Sequence, residues 1–66
     1  MKLKINGESK ELKFSITVSE LLEEINTPAV GIAVEINREI VPRSRHATWE
    51  IKEGDMVEIV KMVGGG

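Results

Sequence analysis

The stretch SITVSELLEEINTP, residues 15–28, contains the signals of one complete helix. Thr17 and Glu20 have the spacing of a capping box, in which the threonine is the N-cap and the glutamate is the third helical residue. Apolar side chains recur at helical spacing and share one face: Val18, Leu21, Leu22 and Ile25. Pro28 cannot continue a helix and biases Thr27 away from helical geometry. The sequence therefore predicts one amphipathic helix that begins after Thr17 and ends before Pro28.

Two alternating runs precede this helix, and Asn6-Gly7 lies between them. Apolar residues occupy the odd positions of the first run, Met1–Ile5. In the second run Leu12 and Phe14 alternate with polar residues. Asn-Gly between two such runs is a strong hairpin signal, because both residues tolerate positive φ. We expect a β-hairpin whose second strand carries Leu12 and Phe14, with its register left open by the intervening residues 8–10.

Three further strands are predicted after the helix: Gly31–Ile36, Ile40-Val41 and Met56–Val63. The segments between them are expected to be turns at 37–39 and 52–55 and a loop with at most one helical turn at 43–50. The element order is then β-β-α-β-β-β. A helix with a single apolar stripe packs across one face of a sheet, so we predict an α+β fold with a mixed sheet of four to five strands. Residues 1–63 form the expected single domain, and residues 64–66 a flexible glycine tail.

Length and composition exclude several classes of protein. A chain of 66 residues forms one domain, and such a chain buries only roughly 60% of the surface that it exposes when unfolded. There is no cysteine, hence no disulfide framework, and the sequence lacks the apolar run of a membrane span or signal peptide. The formal net charge of −2 and the pI of about 5.3 disfavour a nucleic-acid partner. We expect a cytoplasmic protein that binds neither nucleic acid nor membrane.

Few residues could support catalysis by this chain. It has no glycine-rich phosphate loop, and Ser44 and His46 have no evident third partner to orient a base. His46 has no further histidine or cysteine with ligand spacing, so no metal site is predicted and His46 is expected to be a surface loop residue. Glu23 and Glu24 are consecutive on the helix and diverge by about 100°, which fits a solvated face. We predict neither catalytic residues nor a bound cofactor.

Two candidate partner-binding groups remain. Arg43 and Arg45 belong to a small basic region in an acidic chain, which could contact an acidic surface or a phosphate, or could simply be solvated. In the last strand, alternation places Val57 and Ile59 towards the helix. It places three apolar residues on the opposite face: Met56, Val60 and Met62. With one helix there is no second layer to cover that face, so we favour a partner-binding patch over a buried layer.

The sequence closes on three glycines, Gly64, Gly65 and Gly66. Glycine has no side chain, so such a segment can thread a narrow channel and reach on the order of 10 Å beyond the last strand. At its tip is the α-carboxylate of Gly66. A frayed end is the plain alternative. The composition instead suggests that this carboxylate is the reactive group and is presented to the active site of another protein.

In several short motifs the chain resembles the ThiS-type sulfur carriers, the thiamine branch of the ubiquitin-like β-grasp proteins. The motifs are Asn6-Gly7, Thr17-Val18-Ser19-Glu20-Leu21-Leu22, Val34-Glu35-Ile36-Asn37, Ile40-Val41-Pro42-Arg43, Glu53-Gly54-Asp55, Val57-Glu58-Ile59-Val60 and the terminal Gly65-Gly66. The resemblance covers essentially all 66 residues. These carriers usually end in two glycines, and here Gly64 adds a third.

The resemblance implies a cycle in which this chain is a protein co-substrate and not an enzyme. An adenylating partner of the ThiF type, related to ubiquitin-activating enzymes, uses ATP and Mg²⁺ to activate the terminal carboxylate. Sulfur from a cysteine persulfide, supplied by a cysteine desulfurase, converts it to a thiocarboxylate. A ThiG-type thiazole synthase takes the sulfur. Sulfur donation to molybdopterin or to cysteine synthesis, and a ubiquitin-like adaptor without sulfur chemistry, are the alternatives.

Overall fold

Seven elements follow one another along the chain in the computed structural model, which describes residues 1–62. They are β1 (Lys2–Ile5), β2 (Glu8–Glu11), α1 (Val18–Glu24), β3 (Ile32–Ile36), β4 (Glu39–Val41), a 3₁₀ helix (Arg43–Arg45) and β5 (Met56–Lys61). The predicted order of strands and helix is confirmed. The last strand ends at Lys61, and Val63, where it was predicted to end, lies outside the described residues.

The five strands form one mixed sheet in the order β2-β1-β5-β3-β4. The central pair, β1 and β5, is parallel, and the other three pairs are antiparallel. A parallel pair requires a long crossover connection, and here the helix and the β3–β4 hairpin lie between its strands. This is the β-grasp arrangement, and it confirms the predicted α+β fold with a mixed sheet on one helix.

The helix begins as the sequence predicts. The Thr17 hydroxyl accepts a hydrogen bond from the Glu20 N–H at 3.2 Å, and the Glu20 carboxylate accepts one from the Thr17 N–H at 2.8 Å. These two bonds satisfy two backbone donors that a helix start leaves without partners. After α1, Asn26 adopts a positive φ of 55° and the chain leaves the helix before Pro28. The capping box and the end of the helix are therefore confirmed.

The second strand starts and ends earlier than the alternation predicts. Ile5 pairs with Glu8, so the hairpin turn consists of Asn6 and Gly7 alone, and β2 starts at once. Both turn residues have positive φ, as a two-residue hairpin turn requires. Phe14 lies beyond the strand and is 74% exposed. The predicted strand pairing is therefore correct for Leu12 and wrong for Phe14. Leu12 and Met1 exchange two backbone hydrogen bonds, at 2.8 and 2.7 Å, and Leu12 packs against the core, whereas Phe14 lies beyond these pairs.

One apolar core joins the helix to one face of the sheet. It consists of Leu3, Val18, Leu21, Leu22, Val34, Ile36, Val41, Ile51 and Val57. Ile51 follows the predicted loop and is fully buried. Its N–H donates to the Ile16 carbonyl at 2.8 Å, and the Val18 N–H donates to the Trp49 carbonyl at 3.0 Å. The segment before Ile51 therefore closes over the start of the helix.

Candidate functional site

The open face of the sheet carries the three apolar residues that the sequence analysis singled out. Met56, Val60 and Met62 are 49%, 46% and 62% exposed. On the same strand Val57 is 1% exposed and Ile59 packs against the core. The predicted alternation is confirmed, and we call Met56, Val60 and Met62 the open-face patch.

The register extends this patch onto neighbouring strands. Ala33 lies directly opposite Val60, and Glu35 lies between Glu58 on β5 and Ile40 on β4. Ile40 is 63% exposed. The sequence analysis placed Ile40 in a strand but did not assign it to the patch. The available signal was its alternation with Val41, which is buried.

Charged residues are interspersed with these apolar ones. Glu35 and Glu58 are direct cross-strand partners, so two like charges share one position on the open face. On the other side of β5, Lys4 is paired with Met56. The face therefore combines an apolar strip with negative charge on the β3 side and positive charge on the β1 side.

The two candidate arginines lie in the 3₁₀ helix and are both exposed. Arg43 lines a shallow groove that also includes Met62 and Ile40, so the structure brings it next to the open-face patch. Arg45 lines a different groove together with Trp49 and Asp55. The fold therefore associates only Arg43 of this pair with the end of the last strand.

His46 is buried, which contradicts the prediction of a surface loop residue. It is 5% exposed, and its Nε2 lies 3.2 Å from the Val41 carbonyl oxygen. Its Nδ1 has no hydrogen-bond partner among residues 1–62. The backbone carbonyl of His46 accepts from the Ser19 N–H at 2.9 Å, so the residue connects the loop to both the sheet and the helix. A single histidine in a polar segment gives no periodic signal, and its burial results from tertiary packing.

The end of the described chain is held on both sides. The Met62 N–H donates to the Gly31 carbonyl at 2.9 Å, and the Ile59 N–H donates to the Asn6 side-chain oxygen at 2.8 Å. The glycines to which the sequence analysis assigned the reactive terminus, Gly64, Gly65 and Gly66, lie outside the described residues. The structure describes the backbone as far as Met62, two residues before the first of these glycines.

Within residues 1–62, histidine, aspartate and glutamate side chains form no group of three or more that could hold a metal ion. In the same part of the chain, no helix has the length and apolar character needed to cross a membrane. The candidate site is thus the exposed face of β5 together with Met62, where the described chain ends.

Comparison with known proteins gives relatives of two sizes. The chain is 32% identical over 66 residues to the sulfur carrier protein ThiS of Escherichia coli and covers all of it. It is 47% identical over 66 residues to a thiazole synthase of Paramagnetospirillum magneticum, and there it spans 20% of the relative's length. The similarity in that larger protein is therefore confined to one part.

The fold has a counterpart among solved structures. The crystal structure of the thiamine biosynthesis protein ThiS from Geobacter metallireducens superposes with a TM-score of 0.89 at 32% identity, and the alignment covers both chains completely. The sequence model of the ThiS family matches residues 3–66. The chain belongs to the ThiS family.

Proposed function

We propose that this chain is the sulfur carrier of thiazole formation in thiamine biosynthesis. The observation that carries the proposal is the full-length match to proteins named as ThiS sulfur carriers, together with the same β-grasp fold. In this role the chain is a substrate of other proteins and not a catalyst. Its fold presents the terminus, and the terminus carries the sulfur.

The reactive group in this proposal is the α-carboxylate of Gly66. A carboxylate resists nucleophilic attack, because its charge is delocalised over both oxygens. A carboxylate oxygen therefore first attacks the α-phosphorus of ATP, releasing pyrophosphate and forming an acyl-adenylate. Activation of this kind divides one difficult substitution into two easier ones.

Sulfur then replaces oxygen. The terminal sulfur of a cysteine persulfide attacks the Gly66 carbonyl carbon. AMP leaves together with the oxygen that joined its phosphorus to that carbon. A thiol next attacks the cysteine sulfur of the resulting acyl disulfide, which breaks the S–S bond. The thiol and the cysteine become a disulfide, and Gly66 retains the second sulfur as a thiocarboxylate.

The catalytic groups for these steps belong to the partners. A ThiF-type adenylating enzyme supplies the ATP and Mg²⁺ site, and a cysteine desulfurase supplies the persulfide. Because the cycle consumes ATP and a thiol, we place it in the cytoplasm. Glycine at positions 64–66 suits the entry of the chain into a narrow active site, since there are no side chains to obstruct it.

A ThiG-type thiazole synthase is the proposed acceptor. Two thiazole synthases, from Paramagnetospirillum magneticum and Magnetococcus marinus, contain a region similar to this chain over 66 residues, which is 20% of each protein. A carrier-like region within the same polypeptide as the synthase keeps the two at high effective concentration. This arrangement supports the thiazole synthase as the partner of the separate carrier.

We further propose that the open-face patch binds the adenylating enzyme. Its methionines are flexible enough to pack against more than one surface, and within residues 1–62 both remain about half exposed or more. Arg43 borders the patch through the groove that it shares with Met62, and it would contribute a charged contact at the rim. Arg45 faces another groove, so we expect it to contribute less.

Intact-mass spectrometry tests the proposal. After incubation with the adenylating enzyme, ATP, Mg²⁺, a cysteine desulfurase, cysteine and a thiol, the chain should gain about 16 Da, as one oxygen is exchanged for sulfur. The matched control is the same chain with an amidated Gly66, which has no carboxylate and should keep its mass. An unchanged wild-type mass with an enzyme that activates a known ThiS would contradict the proposal, as would sulfur transfer by the amidated chain.

A further inference from the structure

The backbone hydrogen bonds of β5 alternate between its two neighbouring strands. Towards β1, the Asp55 carbonyl accepts from the Lys4 N–H at 3.0 Å and the Val57 carbonyl accepts from the Asn6 N–H at 2.8 Å. Towards β3, the pairing continues to Lys61 and the Met62 N–H bonds to Gly31. Backbone hydrogen bonds therefore extend further along β5 on the β3 side than on the β1 side.

β1 ends at Ile5, where the chain turns through Asn6 and Gly7. The next backbone donor of β5 on this side, the Ile59 N–H, has no further residue of β1 beside it. The side-chain Oδ1 of Asn6 accepts this hydrogen at 2.8 Å, across a separation of 53 residues. One side chain thus extends the hydrogen-bonded ladder beyond the end of the strand.

Residue 6 has to satisfy two requirements at once. Its φ is +51° and that of Gly7 is +83°, which is the conformation of a two-residue hairpin turn. It must also offer an acceptor at the length of an asparagine side chain. Asparagine and aspartate meet both requirements, whereas glycine meets only the first.

We infer that Asn6 is a positioning residue for the sulfur-carrying terminus. Through Ile59 it fixes β5 on the β1 side three residues before Met62, while Gly31 fixes the other side at Met62. Together these bonds set the place and direction in which the chain leaves the sheet. The inference rests on the proposed function, because the direction of exit matters only if the terminus has to reach another active site.

The variants Asn6→Gly and Asn6→Asp distinguish the role of the side-chain acceptor from the role of the turn conformation. Gly-Gly and Asp-Gly both suit this hairpin turn, so the two variants differ mainly in whether an oxygen faces Ile59. Amide hydrogen exchange should become about tenfold faster at Ile59 in Asn6→Gly and remain near the wild-type rate in Asn6→Asp. A backbone ester in place of the Ile59 amide removes the donor instead, and tests the same bond without changing the turn.

Asn37→Gly is the matched control at the other end of the strand. Asn37 also has a positive φ, and its Oδ1 accepts from the Met56 N–H at 3.0 Å. It therefore also anchors β5 through a backbone N–H, but at the start of the strand and away from Met62. Asn37→Gly removes in addition the hydrogen bond that the Asn37 Nδ2 donates to the Asp55 Oδ1 at 3.0 Å. Loss of the hydrogen bond to Met56 should lower the free energy of unfolding without altering the backbone contacts of Ile59 and Met62.

The kinetic test is adenylation of the carrier by the ThiF-type enzyme, followed as pyrophosphate release while the carrier concentration is varied. Asn6→Gly should lower kcat about fivefold with KM for the carrier near the wild-type value, because the docked carrier presents its carboxylate less accurately. Asn6→Asp should restore kcat. Partial unfolding alone would instead raise the apparent KM and leave kcat unchanged, which is the expected result for Asn37→Gly.

Two results would overturn the inference. One is a wild-type kcat for Asn6→Gly or for the ester variant, and the other is an equal loss of kcat in Asn6→Gly and Asn37→Gly. Failure of the proposed function is distinguishable from both, since the wild-type chain itself would then release no pyrophosphate. Hydrogen exchange at Ile59 reports on the bond in either case.

Discussion

The two faces of the sheet differ in how much of their apolar surface is buried when the chain folds. Towards the helix, Val57 is 1% exposed and Val34 fully buried, and they share one core with Leu21. On the opposite face, Met56 and Val60 of β5 are about half exposed, and Ile40, two strands away on β4, is 63% exposed. Consecutive residues of β5 thus alternate between the buried core and the solvent-exposed face.

This difference shows which apolar residues the fold itself explains. Each core residue removes apolar surface from water and so stabilises the folded chain by roughly 1.5–3 kcal/mol. An apolar residue on the open face contributes far less of this energy, because much of its surface remains in water. This is why we propose a partner for the open-face patch, and the following predictions test the division between the two faces.

The largest effect is expected from Val57→Asp. This change places a carboxylate without a partner in the core, at a cost of more than about 4 kcal/mol, comparable with the whole stability of a small domain. The variant should therefore fail to fold, which loss of amide dispersion in an NMR spectrum would show. A cooperative thermal transition like that of the wild type would contradict the assignment of Val57 to the core.

Val60→Asp is the matched change on the other face of the same strand. Its stability should stay within about 1 kcal/mol of the wild type, because the new carboxylate is solvated. Its affinity for the adenylating enzyme, measured by calorimetry, should fall at least about tenfold, which corresponds to about 1.4 kcal/mol. Unchanged affinity would remove Val60 from the proposed interface.

Thr17→Ala weakens the helix that covers the buried face. Loss of the N-cap should cost about 1 kcal/mol and lower Tm by roughly 4–8 °C, measured by circular dichroism. Thr48→Ala is the control, since the Thr48 hydroxyl is exposed and donates only to the Arg45 carbonyl at 3.3 Å. Equal effects of the two changes would show that the capping box is not the source of the stability.

The smallest effect is expected from Glu35→Gln on the open face. Removing one of two directly opposed carboxylates should raise the free energy of unfolding by about 0.4 kcal/mol at low salt. The difference from the wild type should largely disappear at 1 M salt, since screening weakens the repulsion between Glu35 and Glu58. Chemical denaturation at both salt concentrations measures it. A loss of stability at low salt would show that the pair is not repulsive in the folded chain.

The helix was predictable because its signals are local. The capping box from Thr17 to Glu20, the apolar stripe and Pro28 all lie within 14 residues, and the structure agrees with each. The alternation of β5 was equally local and equally correct. The proposed role of the terminal glycines is predicted from the sequence, since Gly64–Gly66 lie outside the described residues.

The wrong predictions concern residues whose environment depends on contacts between distant parts of the chain. Leu12 and Phe14 alternate like a strand, but the turn at Asn6-Gly7 pairs Ile5 with Glu8 and Met1 with Leu12, so that Phe14 lies beyond the paired residues. His46 lies in a segment without a clear apolar period, and yet the loop that carries it closes over the core. Neither outcome follows from local periodicity, because both depend on contacts between elements.

By itself the sequence determined the single amphipathic helix, the two-sided character of the last strand and membership of the ThiS family, since these depend on residues close together or on motifs in order. Only the tertiary structure decided that Asn6 reaches Ile59, that His46 and Ile51 are buried, and that Arg43, but not Arg45, adjoins Met62. The physical reason is that a buried contact or a long-range hydrogen bond exists only after the chain has paid the entropy of bringing its partners together.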